Sequence, residues 1–120
     1  MKEILFRGKR VDNGKWVFGD LEHNGKNVPK WVNGNEIVPE TVGQYIGLTD
    51  KNGKKIFEGD IVHGYWNTKF LIFFDLCCLQ FRAKLSDGTE KDIDYYGDSK
   101  KIEVIGNIYD NPELLRSENG

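Results

Sequence analysis

The chain has 120 residues, enough for one domain or one domain with an appendage. At that length it can bury about two-thirds of its unfolded surface without a disulfide or metal staple. Lys and Arg (17) nearly balance Asp and Glu (19), which argues against a dedicated nucleic-acid binder and against a polybasic membrane anchor. The N-terminus lacks a signal-peptide core, no run approaches the roughly 20 apolar residues of a membrane span, and the two cysteines are adjacent, so the expected compartment is a reducing cytoplasm.

Turn signals punctuate the whole chain. Asn-Gly pairs stand at 13–14, 24–25, 33–34 and 52–53, with Asp87-Gly88 as a fifth. Asn and Gly accept the positive φ of tight hairpin turns, and the segments between them are rich in Ile, Val, Phe, Tyr and Trp. EILFRGKRVDNGKWVFGDLE predicts two strands around Asn13-Gly14, with Trp16 and Phe18 on one face. KNVPKWVNGNEIV predicts a second hairpin, in which Pro29 demands an edge or an irregular start. No window carries a long apolar stripe of helical period. The expected class is all-β (mainly β): a small barrel or sandwich built from hairpins, one domain over 1–111.

KFLIFFDLCCLQFRAKL (69–85) is the most apolar region. Its seventeen residues, fully extended, would reach about 56 Å, whereas a compact domain of this size is only about 35 Å across. Either Asp75 marks a bend or tight turn, or the strands project into a neighbour. Phe70, Ile72 and Phe74 alternate with Leu71 and Phe73, so both faces are apolar, and the second face suggests a closed barrel or a subunit interface. Leu71, Phe73, Leu76 and Cys78 are the candidate self-association residues. Cys77 and Cys78 are read as small apolar side chains of a strand, which would point to opposite faces and share no metal. Near the end, VIGNIYDNPELL predicts a strand at Ile102–Ile108 and then a short helix opened by Asp110 and Pro112, with 112–120 as helix and loose tail.

Chemistry is sparse. In DKNGKKIFEGDIV (50–62), Asn52-Gly53 supplies a turn, and Gly59-Asp60 has the form of an SH3-like strand start at 59–62. There glycine accepts an unusual φ, and the aspartate receives amide hydrogen bonds. A catalytic alternative sets Glu58, Asp60 and His63 around a cleft, with Asp60 or Asp75 as the acid that could pair with His63, although a lone histidine in a β protein is more often a surface or packing residue. It lacks a nucleophile or a metal-ligand set, so no catalytic residue, metal or cofactor is assigned. Arg7, Lys9 and Arg10 with Trp16 and Trp31 form a basic-aromatic set of the kind that stacks single-stranded nucleic acid; the acidic overall balance favours core rings and solvated cations instead. The glycines build no phosphate-binding loop.

Three blocks, ILFRGKRVDNGKWVFGDL, VPETVGQYIGLTDKNGKKIFEGDIV and IEVIGNIYDNPELL, resemble the YopX family of phage- and prophage-encoded proteins. They cover roughly half the chain, in order, and residues 63–101 carry no part of the likeness. The resemblance implies phage origin, a mainly β fold and self-association in trimeric units, and brings no catalytic residues with it. The expected function is therefore a non-enzymatic, oligomeric binding or assembly module in the bacterial host cytoplasm, with a phage or host protein as partner and no membrane. The alternative is a nucleic-acid-associated protein using the N-terminal face.

Overall fold

A computed structural model describes residues 3–23 and 29–115. The protein is mainly β: twelve short strands and four single 3-10 turns among the described residues. The expected β class holds. Contacts divide the chain into two compact units, Met1–Tyr45 and Ile46–Gly120.

In the first unit, β1 (Phe6–Lys9) and β2 (Trp16–Gly19) pair antiparallel with Lys9 opposite Trp16. The loop between them is the Asn13-Gly14 turn; Gly14 has φ 70° and Asn13 Oδ1 accepts the Lys15 amide. β3 (Leu21–His23), β4 (Pro29–Val32) and β5 (Asn35–Glu36) form a second sheet. β4 and β5 are joined by Asn33-Gly34, both at positive φ as a type I′ turn requires. Pro29 is the first residue of β4, opposite a register shift between Glu22 and His23, so of the two expected solutions the irregular start is the one adopted. The Asn24-Gly25 turn lies outside the described residues. Val32 and Ile37 are fully buried, and Thr41 fastens β1 by accepting the Lys9 amide at 2.9 Å while donating to Val38 O at 2.6 Å.

The chain passes between units inside β6 (Gly43–Thr49), whose first residues pair with β1. In the second unit β7 (Lys55–Phe57) pairs with β6. β8 (Asp60–His63), β9 (Lys69–Asp75), β10 (Gln80–Lys84), β11 (Glu90–Lys91) and β12 (Glu103–Asn107) then make a five-stranded antiparallel sheet in the order β11-β10-β9-β8-β12. Its core is Ile56, Val62, Phe70, Ile72, Ala83, Tyr96 and Ile102. Phe70 stacks on Tyr96 with ring centroids 5.3 Å apart.

The apolar run 69–85 folds back on itself. β9 ends at Asp75, and β10 returns with Gln80 opposite Asp75 and Lys84 opposite Leu71. Asp75 Oδ1 accepts the Cys77 amide at 2.9 Å, while Arg82 Nη1 holds the other carboxylate oxygen at 3.1 Å. Leu79 adopts φ 54° to complete the turn. Cys77 and Cys78 therefore lie in an exposed turn and not on a strand; the capped Asp75 ends β9 before them. At the C-terminus the helix is one 3-10 turn, Pro112–Leu115.

Candidate functional site

The acidic stretch resolves as backbone geometry. Gly59 holds φ 94° between β7 and β8, donates its amide to Ile72 O at 2.8 Å and accepts from the Ile108 amide at 2.8 Å. Asp60 is buried and its Oδ2 accepts the Phe57 amide at 2.8 Å. His63 sits at the other end of β8, three residues on. An odd separation places the two side chains on opposite faces of the strand. The His63 imidazole meets Asn67 Oδ1 at 2.8 Å. Glu58, Asp60 and His63 are thus not gathered into one cleft.

Asp50, which the sequence marks only as part of a turn, has a larger structural role. Oδ1 accepts the Asn52 and Lys54 amides, both at 2.9 Å, and Oδ2 accepts the Val104 amide at 3.0 Å. Burial pushes its pKa up, but the three amide bonds and the Lys54 charge outweigh that, and the net shift is downward. Asn52-Gly53, with Gly53 at φ 80°, forms the tip of this turn.

The N-terminal basic-aromatic set is engaged with itself. Arg7 is only 6% exposed and lies over Trp16 at 4.6 Å, with Lys9 Nζ 5.6 Å from the same ring. Lys30 covers Trp31 at 5.2 Å. Arg10 forks onto Asp12 through Nε and Nη2 at 3.0 and 2.7 Å, beside a cleft of about 210 Å³ lined by Val11, Gly34, Asn35 and Glu36. Arg10 points to this ion pair, away from any shared stack with the two tryptophans.

The proposed self-association residues divide between two places. Leu71 and Phe73 are half-buried on the β9 face that also carries Arg82 and Lys84; Lys84 Nζ lies 4.9 Å from the Phe73 ring and 3.5 Å from Glu90. Leu76 and Cys78 stand in the turn beyond, where Leu76 is 78% and Leu79 74% exposed.

A feature with no sequence precedent lies in the loops that begin after β8. Trp66, 73% exposed, sits in a 3-10 turn (Tyr65–Asn67) at φ 58° and ψ 30°, and Asn67 follows at φ 55°. A bulky aromatic in the left-handed region is a genuine outlier. Tyr65 meets its ring at 5.6 Å and 72°, and Tyr95, from the turn Ile93–Tyr96, meets it at 6.1 Å and 53°. The two loops interlock through Gly64, where any Cβ would collide with the Tyr96 carbonyl. Tyr95 is anchored edge-to-face on buried Tyr96, which is itself stacked on Phe70. The result is a row of exposed rings built on the core. The clustered aromatics of GYWNT and DYYG were the only sequence signal, and they come together only through the fold.

Among the described residues, no three His, Cys, Asp or Glu side chains gather to hold a metal, and no helix is long and apolar enough to cross a membrane. The crystal structure of protein EF1440 from Enterococcus faecalis is similar, with a TM-score of 0.66 and 24% identity over 97% of this chain and all of that one; the likeness is one of fold. No curated protein shows significant similarity to the chain. The profile of the YopX protein family matches residues 5–116. That match takes in the stretch 63–101, where the motifs carry no likeness, and the chain belongs to the YopX family.

Proposed function

We propose that this protein is a phage- or prophage-encoded, non-enzymatic binding or assembly module that works in the bacterial host cytoplasm as a homo-oligomer, through contacts with a phage or host protein. One observation carries the reading: the second unit displays large apolar side chains that its own core does not use, Trp66 on one loop and Leu76 and Leu79 on the β9–β10 turn. Leu76 and Leu79 share one four-residue turn and Trp66 stands beside Tyr65 and Tyr95, and exposed apolar side chains that cluster in this way mark protein contact sites. The burial of Asp60 and its bond to the Phe57 amide also count against the acid–histidine alternative, because a general acid or base must reach its substrate.

The nucleic-acid reading has less support, since Arg7 and Lys9 already cover Trp16. It predicts binding to single strands that weakens steeply with salt. The oligomer is tested by sedimentation over a wide concentration range. Concentration-dependent mass is expected from the wild type and reduced association from Leu76→Lys/Leu79→Lys; a strict monomer throughout removes the oligomeric part.

A further inference from the structure

Asn-Gly pairs form three of the described turns, at 13–14, 33–34 and 52–53, and the fold makes them chemically unequal. An asparagine followed by glycine can lose its side-chain amide without an enzyme, because no Cβ hinders the attacking glycine nitrogen. That nitrogen bonds to Asn Cγ, the Cγ–Nδ2 bond breaks, and ammonia leaves with the proton of the glycine amide. Water then opens the five-membered imide at one of its two carbonyls. The products are aspartate and isoaspartate, and in the second the main chain runs through Cγ. We propose that Asn33-Gly34 is the pair at which the folded protein converts itself to isoaspartate.

Three observations single it out. The first is backbone geometry. The imide needs the glycine nitrogen on the Cβ side of the asparagine, at a ψ of about −120°, which is that of the first central residue of a type II′ turn. Asn33 already has φ 51°, so a flip of the one Asn33–Gly34 peptide takes its type I′ turn to type II′. The strands stay paired throughout, Val32 opposite Asn35 and Trp31 opposite Glu36. Asn13 and Asn52 have negative φ, where a ψ of about −120° lies outside the allowed regions. The second is hydrogen bonding. Gly14 donates its amide to Arg10 O and Gly53 to Asp50 O, both at 3.0 Å. Their asparagine side chains are also held, Asn13 Oδ1 by the Lys15 amide at 2.9 Å and Asn52 Nδ2 by Glu103 Oε2 at 3.4 Å. Among the described residues, no hydrogen bond holds the Gly34 amide or the Asn33 side chain. The flip costs only the bond from Asn35 Nδ2 to Asn33 O, at 3.2 Å, and Asn35 Nδ2 also donates to Val32 O at 3.4 Å. The third is room. Asn33 and Gly34 are exposed, and the Asn33 side chain lies against Gly19, where a Cβ would come within 2.8 Å of Asn33 Cβ. Conversion adds a main-chain carbon to a two-residue loop, and loop length sets hairpin register, so the β4–β5 pairing beside buried Val32 is what the modification disturbs.

The test is ageing of the intact, folded chain at mildly alkaline pH, followed by proteolysis and mass spectrometry that separates asparagine, aspartate and isoaspartate peptides. Conversion at residue 33 should be at least tenfold faster than at residues 13 and 52. The same ageing in concentrated urea should bring the three rates together, since the motif is then all that remains. Asn35→Ala leaves the Asn-Gly pair intact and removes the one bond that opposes the flip. It should speed conversion at residue 33 severalfold and leave residues 13 and 52 at their wild-type rates. Equal rates at the three pairs in the folded chain would overturn the assignment, as would faster conversion at 13 or 52. So would an Asn33 that stays intact while the urea sample converts. A rate at residue 33 unmoved or lowered by Asn35→Ala would remove the peptide flip as its cause.

Discussion

Asp50 and Asp60 show how single carboxylates organise this chain. Each is buried and each spends its oxygens on backbone amides: three for Asp50, and the Phe57 amide for Asp60. Truncating Asp50 to alanine removes the acceptor of three part-buried amides and should cost about 1–2 kcal/mol by urea unfolding. Asp60→Asn should cost less than Asp60→Ala, because the amide oxygen still accepts a bond. At Gly59, φ 94° means that Gly59→Ala should destabilise by about 1 kcal/mol or more. Equal and negligible effects at 59 and 60 would show a turn that is neither strained nor bonded.

The same residues set the response to acid. Asp50 has a lowered pKa in the folded state, so its contribution to stability is complete above the unfolded value of about 3.9 and fades as pH falls through the lower folded value. Asp75 shifts in the same direction, chiefly through its bond from Arg82 and then through the Cys77 amide. The contribution of these two carboxylates should therefore hold from neutral pH to about 4 and be lost below it. Asp50→Asn should be less stable at neutral pH and show a shallower acid limb in urea midpoints. An unchanged acid limb would locate the acid sensitivity elsewhere.

At the scale of elements, the hairpins were legible and the loops were not. Asn13-Gly14, Asn33-Gly34, Asn52-Gly53 and Asp87-Gly88 all sit in loops between neighbouring strands, because the need for positive φ is local and written in residue type. The end of β9 at Asp75 was also accessible, by comparing the length of an extended run with the width of a domain. The turn residues beyond it were not: alternating apolar character carried the strand reading through Cys77 and Cys78, while a capped carboxylate and a left-handed Leu79 turned the chain first. Asp50 reaching Val104 and Trp66 meeting Tyr95 depend on long-range placement, to which periodicity is blind. The interlocked loops give a prediction at this scale. Gly64→Ala forces a methyl into the Tyr96 carbonyl and against Phe70 Cε1, and should lower stability by roughly 1–3 kcal/mol. Near-ultraviolet dichroism should report loss of the fixed ring geometry in the same variant. A spectrum and stability like those of the wild type would mean that the two loops are not clamped there.

For the whole molecule, the resemblance and the β class follow from blocks near the start, middle and end of the sequence, whereas the exposed Trp66, Leu76 and Leu79 lie in the segment between the last two. A small β scaffold tolerates many unrelated activities, and what it does depends on what its loops display. Here they display apolar side chains on Trp66, Leu76 and Leu79, and the four residues of the β9–β10 turn are all exposed. Replacing Leu76 and Leu79 with lysine should leave the unfolding midpoint within about 0.5 kcal/mol of wild type, since neither residue is in the core. A large loss of stability would mean that these residues pack internally.

The central claim, that this protein acts by binding another protein, is met most directly by affinity capture from phage-infected cells with tagged wild type, Trp66→Gly and Leu76→Lys/Leu79→Lys, each with and without nuclease. The account predicts a stoichiometric protein partner that survives nuclease and is lost from at least one of the two surface variants while both remain folded. Capture abolished by nuclease, or no stoichiometric partner at all, would contradict it.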